Sequence, residues 1–242
     1  MNKFFRFALL VMVVLMLVAC SGEQLEWRNV DVARGQIYKA GDNSPFSGKV
    51  TNIPMSYVAS NESGYIGALM RVEKLTNTAL SIYGGGSILA CDVKVKRGLL
   101  DGKAVCSNQN GERMMELFLE DGAIEGEVHI FNPGADDPSL TFEIHDGQLD
   151  GPMNYYFRDT TTVAREATAS NGQWDGPFLV YNTEGDVINE GTFREGVRVG
   201  LWKDYWPTTG KVRNAVLYNE QGVVTSEEHF NVNGEAVHNG SQ

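Results

Sequence analysis

Hydrophobic and polar residues alternate along most of this chain in short runs, and pairs of glycines interrupt these runs at a steady interval. The motif Gly-x-x-x-Gly occurs five times, and successive second glycines lie 24, 25, 25 and 24 residues apart. A period this regular indicates one supersecondary unit repeated in tandem. The five pairs are Gly98/Gly102, Gly122/Gly126, Gly147/Gly151, Gly172/Gly176 and Gly196/Gly200.

Each unit reads as a β-hairpin. In the unit 172–195 the glycine motif leads into Phe178–Tyr181, a second turn follows at Asn182–Gly185, and a second run ends near Phe193. Runs rich in β-branched and aromatic residues between turn residues are typical of hairpins, whereas glycines at this density are costly inside helices. The pattern therefore predicts a mainly β protein, a single elongated antiparallel β meander of stacked hairpin repeats of 24–25 residues.

The apolar residues also predict which face of each strand is buried. Side chains alternate between the two faces of a strand, so positions +2 and +4 from each second glycine share one face. We expect that face to form the core. Asp204 at +4 of the last unit departs from the pattern and predicts a place where the sheet frays or is capped. The regular pairs are Val128/Ile130, Met153/Tyr155 and Phe178/Val180.

An aromatic column is predicted on the opposite face. Position +5 is an aromatic residue in four consecutive units, namely Phe131, Tyr156, Tyr181 and Tyr205. Because every second strand carries one ring, the rings should repeat at about 9–10 Å. Such a column suits stacking on sugars or gripping an extended peptide, and it is our candidate binding stripe. The alternative is that each ring packs against its neighbouring hairpin.

The segment 53–90 lacks the regular repeat. Its apolar residues recur at intervals of three and four, which predicts a helix packed over the sheet, although two short strands fit the segment nearly as well. The recurring residues are Ala68, Val72, Leu75, Ala79 and Ile82.

The first residues resemble a bacterial lipoprotein signal. A basic start, Lys3 and Arg6, precedes an uncharged stretch and then Leu17-Val-Ala-Cys20, which is similar to a lipobox. The resemblance implies cleavage before Cys20, acylation of this cysteine and stable membrane anchoring. Ser21 in place of aspartate implies the periplasmic face of the outer membrane. The alternative is an ordinary secretory signal with an incidental cysteine.

The acidic charge of the chain and its lack of catalytic motifs exclude several classes of function. Removing residues 1–19 takes two of the 20 basic residues and none of the 31 acidic ones, which leaves 18 against 31 and a formal charge of −13. Such a protein repels nucleic acid and anionic lipid surfaces. The sequence contains no G-x-S-x-G, H-E-x-x-H or C-x-x-C motif. We therefore expect no enzyme activity and no cofactor.

A metal site is not expected either. Acids recur in the turns, where aspartate suits the backbone geometry without a metal. The four histidines, at 129, 145, 229 and 238, lack the spacing of metal ligands, although His129 and His145 could approach each other across one hairpin. The recurring acids are Asp101, Asp121, Glu125, Asp146, Asp150, Asp175 and Glu195.

Two further cysteines raise the question of a disulfide, which the oxidising envelope would permit. A hairpin centred on Leu100 would place Cys91 opposite Gln109, too far from Cys106 for a bond. A tighter turn at Gly98-Leu99 would place Cys91 and Cys106 directly opposite each other. The register of the hairpin decides whether the disulfide can form, and the sequence is compatible with both registers.

The pattern of turn, Gly-x-hydrophobic-x-x-aromatic, mid-unit glycine and second strand resembles the MORN-repeat variant of many bacterial proteins. Near the start of the chain, Gly35–Tyr38 followed by Pro45–Val50 resembles the first unit of that family. Members are often labelled antitoxin components, which act in the cytoplasm and therefore conflict with the signal sequence. The repeat architecture and the lack of catalytic motifs indicate a binding scaffold for a protein or glycan, with a toxin-neutralising immunity protein and an envelope hydrolase as alternatives. The expected organisation is a signal peptide 1–19, a lipidated tether 20–31, a first repeat with a degenerate region 32–97, regular repeats 98–234 and a tail 235–242.

Overall fold

The structure is a computed structural model that describes residues 22–60, 63–80, 83–84 and 88–237. Strands account for 57% of it and helices for 10%, which confirms a mainly β fold. The helices are a 3-10 turn Trp27–Asn29, α1 (Met55–Val58) and α2 (Ser63–Thr76). The strands are β1 (Gln24–Glu26), β2 (Val30–Ala33), β3 (Gln36–Lys39), β4 (Gly48–Pro54), β5 (Ala90–Lys96), β6 (Leu99–Ser107), β7 (Arg113–Glu120), β8 (Ala123–Phe131), β9 (Pro138–His145), β10 (Gln148–Tyr156), β11 (Val163–Ser170), β12 (Gln173–Tyr181), β13 (Val187–Arg194), β14 (Val197–Tyr205), β15 (Val212–Tyr218) and β16 (Val224–His229).

Fourteen of the described strands form one sheet, in which each strand from β4 to β16 pairs with the next strand in the chain. All of these pairings are antiparallel, whereas β1 at the edge runs parallel to its neighbour β4. The predicted meander of consecutive hairpins is therefore confirmed. The hairpin β2–β3 forms a separate two-stranded sheet.

The Gly-x-x-x-Gly motif combines a tight turn with a bulge. In the unit after β7, Asp121 and Gly122 form a two-residue turn with φ of 46° and 95°, the left-handed conformation that such hairpin turns require. Leu119 pairs with Ile124, but Leu117 pairs with Val128, so the register advances by two residues across the second glycine. That glycine, Gly126, also has a positive φ of 92°. The motif thus places a conformational requirement on both glycines.

The same bulge aligns the two cysteines. The turn lies at Arg97-Gly98, one residue earlier than the Gly98-Leu99 turn considered from the sequence, and the register shift between Val93 and Lys94 supplies the remaining offset. Cys91 therefore pairs directly with Cys106, and the two form a disulfide with an S–S distance of 2.04 Å. Of the two predicted registers, the one that permits the bond is observed.

One face of the sheet forms the core. The side chains at +2 and +4 that the sequence assigned to this face are buried or half-buried throughout the regular units. Helix α2 covers the face through Tyr65, Ala68, Leu69 and Val72, each at most 4% exposed. The helical alternative for the degenerate segment is therefore correct, and the two-strand alternative is wrong. Ala79 follows the end of α2, and Ile82 lies outside the described residues.

Both ends of α2 are anchored to the sheet. At its start Gly64 lies against the β9–β10 turn, so close that a Cβ on Gly64 would be 1.4 Å from the carbonyl oxygen of Gly147. At its end Arg165 of β11 donates hydrogen bonds to the carbonyl oxygens of Leu75 and Thr76, at 3.2 and 2.8 Å. The arginine thereby partners carbonyls that have no partner within the helix.

Beyond the helix an aromatic cluster continues the core. Phe178, Phe193 and Trp202 have ring centroids 5.0–5.8 Å apart, and Tyr218 contacts Trp202 at 6.3 Å. The indole of Trp202 lies over Gly191, where a Cβ would be only 2.1 Å from Cδ2 of the ring. A glycine in mid-strand therefore leaves the space that the indole fills.

Three places in the chain differ from what the sequence indicates. The segment 24–31, assigned to the tether, instead belongs to the fold, because β1 pairs with β4 and the ring of Trp27 contacts Tyr57 at 4.7 Å. Asp204 does not mark a frayed end, because β15 and β16 continue the sheet and Asn189 donates to its carboxylate at 2.6 Å. The tail also begins later than expected, since Ala236 bridges back to Phe230. The predicted lipidation site, Cys20, lies outside the described residues.

Candidate functional site

The sheet face opposite the core carries polar side chains, and we call it the open face. The ladder register places five half-buried residues side by side along its centre. In order across β8 to β12 they are His129, Thr141, Asn154, Glu166 and Leu179. A partner can contact a continuous, partly solvent-accessible row of this kind without disturbing the core of the protein.

The predicted tyrosines lie on the open face and are half-buried. The hydroxyl of Tyr181 donates to Glu166, and that of Tyr205 donates to Glu190 at 2.6 Å, so each ring is tied to the preceding strand. Burial, followed by the hydrogen bond to Glu166, raises the pKa of Tyr181 to about 12. Tyr156 occupies the same phase of the repeat on β10. The hydrogen bonds hold the rings of Tyr181 and Tyr205 in fixed positions, which reduces the entropy lost when a ligand stacks on them.

Phe131 does not belong to the exposed binding stripe that the sequence predicts. Its side chain is only 2% exposed, because the guanidinium of Arg113 lies 3.9 Å from the ring centroid and covers it. Arg113 is itself held by the carbonyl oxygen of Asp136 at 2.6 Å and by Glu116 at 3.2 Å. Phe131 therefore packs within the protein, and the exposed part of the column begins at Tyr156.

A cavity opens on the same face one unit earlier. The residue at +5 from Gly102 is Ser107, and this small side chain lines a cavity of about 1040 Å³ on β4, β5 and β6. Lys49, Lys94 and Lys103 also line it. The sequence gives no sign of this cavity, because the irregular segment 55–89 separates Lys49 from Lys94 and Lys103. In the sequence, these three lysines look like ordinary surface charges.

The turn acids connect neighbouring hairpins. A carboxylate oxygen of Glu125 accepts a hydrogen bond from the backbone N–H of Asp146 at 3.0 Å, and Asp150 accepts one from Asn171 at 3.3 Å. Each of these acids before a second glycine thus supports the turn of the next hairpin. Among the described residues, no group of three or more His, Cys, Asp or Glu side chains is arranged to hold a metal ion.

His145 is bound by two carboxylates. Its Nδ1 lies 2.7 Å from Glu125 and its Nε2 lies 3.0 Å from Glu143, and these hydrogen bonds, that of Glu143 first, raise the pKa of the imidazole. The predicted approach of His129 is wrong. His129 pairs with Thr141, four residues from His145 along β9, which is about 13 Å on an extended strand. His238 lies outside the described residues.

We expect the pKa of His145 to lie above its unfolded value and to fall when Glu143 is replaced by glutamine. A raised folded pKa means that the stabilisation is complete below about pH 6.5 and is lost as the pH rises through the folded value. Histidine-ring NMR signals followed over pH measure this directly. The matched control is Glu127→Gln, which removes the neighbour of His129 at 2.9 Å instead. Equal effects of both substitutions on His145 would contradict the assignment.

Comparisons with known proteins do not assign this chain to a group. No protein-family profile matches it, and no curated protein sequence matches it. Sixteen chains of solved structures match, among them a point mutant of S. aureus TarM in complex with Fondaparinux, alpha-GlcNAc-glycerol and UDP. That alignment has a TM-score of 0.29 and 7% identity, and it covers 72% of this chain but 26% of the other. Within the described residues, no helix has the length and hydrophobicity needed to span a membrane.

Proposed function

We propose that this chain is a non-enzymatic binding scaffold of the bacterial cell envelope, and that its contact surface is the open face around Tyr156, Tyr181 and Tyr205. The observation that carries the proposal is the contrast between the two faces of the sheet. Helix α2 and the aromatic cluster cover one face, while the other presents half-buried tyrosines over three successive units, and hydrogen bonds fix two of these tyrosines. Repeat sheets accumulate contact area unit by unit, which favours an extended protein segment or a glycan.

The hydrogen bonds of the tyrosines also bear on their role. Tyr205 and Lys203 both contact Glu190, at 2.6 and 3.1 Å, and these two contacts lower the pKa of that carboxyl group, the hydrogen bond from Tyr205 first. The hydroxyl groups of Tyr181 and Tyr205 therefore bond within the protein, while their rings stay half-buried at the surface. Ring stacking is the interaction that this arrangement offers to a ligand.

The cellular address in this proposal depends on the amino-terminal signal. The lipobox-like Leu17–Cys20 would attach the mature chain to the membrane, with the outer membrane as its destination. In the same proposal, the MORN-like repeats form the sheet that carries the contact surface. The whole chain has a net charge of −11, and such an acidic protein would favour partners with a basic surface.

Photo-cross-linking in cells tests the contact surface. We expect benzoylphenylalanine at position 156 or 205 to give a discrete adduct on irradiation, because the analogue keeps an aromatic ring at the proposed contact. The matched control places it at Thr183, an exposed residue of the turn between β12 and β13. No adduct from either ring position, or the same adduct from position 183, would overturn the proposal. An adduct that contains a toxin would instead support the immunity alternative.

A further inference from the structure

The cavity on β4, β5 and β6 is basic, although the protein as a whole is acidic. Among its lining residues the charged side chains are Lys49, Lys94 and Lys103 against Asp92. The chain carries a formal charge of −11, so chance would favour the opposite sign. Cations gathered in a concave surface raise the local concentration of anions.

The strand register makes this arrangement costly for the folded protein. Lys49 and Lys94 are direct partners across β4 and β5, a position where like charges are destabilising. Lys49 lies 2.8 Å from Asp92, and Lys103 lies 2.8 Å from Glu116. Lys94 forms no ion pair with any described residue, and its ladder partner on β6, Asp101, does not reach it either. The lysine pair therefore lacks one counter-charge that an anionic ligand would supply.

The remaining lining groups indicate what kind of anion fits. Ser107, Gln109 and Asn52 offer hydroxyl and amide groups beside the lysines. The backbone N–H and C=O groups of the cavity floor are engaged in the ladders of β4 to β6, so recognition there depends on side chains. An acidic peptide would find no free strand edge in this floor, whereas a ligand rich in hydroxyl groups can use the side-chain donors and acceptors.

We propose that this cavity binds an anionic saccharide, a small polyhydroxylated ligand that carries carboxylate or phosphate groups. The volume of about 1040 Å³ is at the upper end of typical ligand sites and accommodates a few sugar rings. The proposal rests on the proposed function in that it assigns the open face to ligand binding, and it names the ligand class for one part of that face. Comparing a carboxylate probe with a phosphate probe decides which of the two groups supplies the charge.

Calorimetric titration of the full chain in non-ionic detergent tests the site. The probes are trigalacturonic acid, which carries carboxylates, and inositol trisphosphate, which carries phosphates, and both keep free hydroxyl groups. Maltotriose is the neutral saccharide, and triglutamate is the acidic peptide. We expect at least one anionic saccharide or polyol to bind with a Kd below about 1 mM, with maltotriose undetectable and triglutamate at least about tenfold weaker. Absence of binding by both anionic probes, or tighter binding of triglutamate, would overturn the proposal.

Two matched lysine variants locate the site. Lys94→Glu should weaken binding of the anionic probe by about tenfold or more, because it reverses the unpaired charge in the cavity. Lys96→Glu makes the same charge change two residues along the same strand, about 7 Å away and outside the cavity lining, and should weaken binding by about threefold or less. Equal effects of both variants would show that the probe is attracted by the net charge of the protein alone, and this result would refute a binding site. The cross-linking test uses positions on β10 and β14 and does not involve these lysines, so failure here and failure of the cross-linking test can be told apart.

Discussion

Replacing Gly64 with alanine is expected to lower the free energy of unfolding by about 4 kcal/mol, the largest effect we predict for a single methyl group. The new Cβ would lie 1.4 Å from the carbonyl oxygen of Gly147 and 2.5 Å from its carbonyl carbon. Both are backbone atoms of the β9–β10 turn, so neither can move aside by rotating a side chain. Helix α2 must therefore shift away from the sheet and expose part of the core that it covers.

Gly67 provides the control on the same helix. A Cβ there would meet only the flexible guanidinium end of Arg71 at 3.2 Å. Because alanine favours helix formation over glycine, Gly67→Ala should raise the free energy of unfolding by about 0.5 kcal/mol. Denaturant unfolding of the two variants therefore should give changes of opposite sign. A loss of less than about 1 kcal/mol for Gly64→Ala would show that the close packing of helix and turn does not matter for stability.

Gly191→Ala is expected to lower the free energy of unfolding by about 3 kcal/mol. The added Cβ would be 2.1 Å from Cδ2 and 2.3 Å from Cε2 of Trp202, which is 4% exposed and also donates from its indole N–H to the carbonyl oxygen of Thr192 at 3.2 Å. The indole must leave its position between Phe178 and Phe193, and the hydrogen bond goes with it. Thermal or denaturant unfolding measures the loss, and near-ultraviolet dichroism reports the displaced indole.

A double-mutant cycle separates this steric cause from a general effect of alanine in the strand. In a Trp202→Leu background the Gly191→Ala substitution should cost less than about 1 kcal/mol, because the group that it clashes with is gone. Gly126→Ala serves as a second comparison, since its site has a φ of 92° and open space, and only the backbone penalty of about 1–2 kcal/mol applies. An unchanged cost of Gly191→Ala in the leucine background would reject the packing explanation.

The candidate site was only partly predictable from the sequence. Tyr156, Tyr181 and Tyr205 were correctly placed on the face opposite the core, because alternation along a strand is a local rule. Phe131 satisfied the same rule but is buried, since Arg113 reaches over it from the neighbouring strand and is tied to the loop at Asp136. No periodic pattern carries information about which side chain covers a ring. Whether the three tyrosines bind a partner stays a prediction for the cross-linking experiment.

The disulfide shows where a local pattern stops being sufficient. Both the turn and the bulge are encoded in Gly98 and Gly102, yet the offset that the bulge adds becomes visible only in the paired strands. A hairpin turn at Arg97-Gly98 without the bulge would place Cys91 opposite Ala104. The two extra residues on β6 bring Cys106 into line instead. The sequence could therefore name the cysteines but not decide their pairing.

The sequence by itself determined the period, the strand and turn positions and the buried face, because these follow from left-handed glycines and from side-chain alternation within a few residues. The tertiary structure alone decided the rest. It placed α2 over the sheet through Gly64 and Gly147, and it brought Lys49 opposite Lys94 across a segment with no repeat. Contacts of this kind join residues far apart in the chain, so their geometry exists only after the intervening strands have paired.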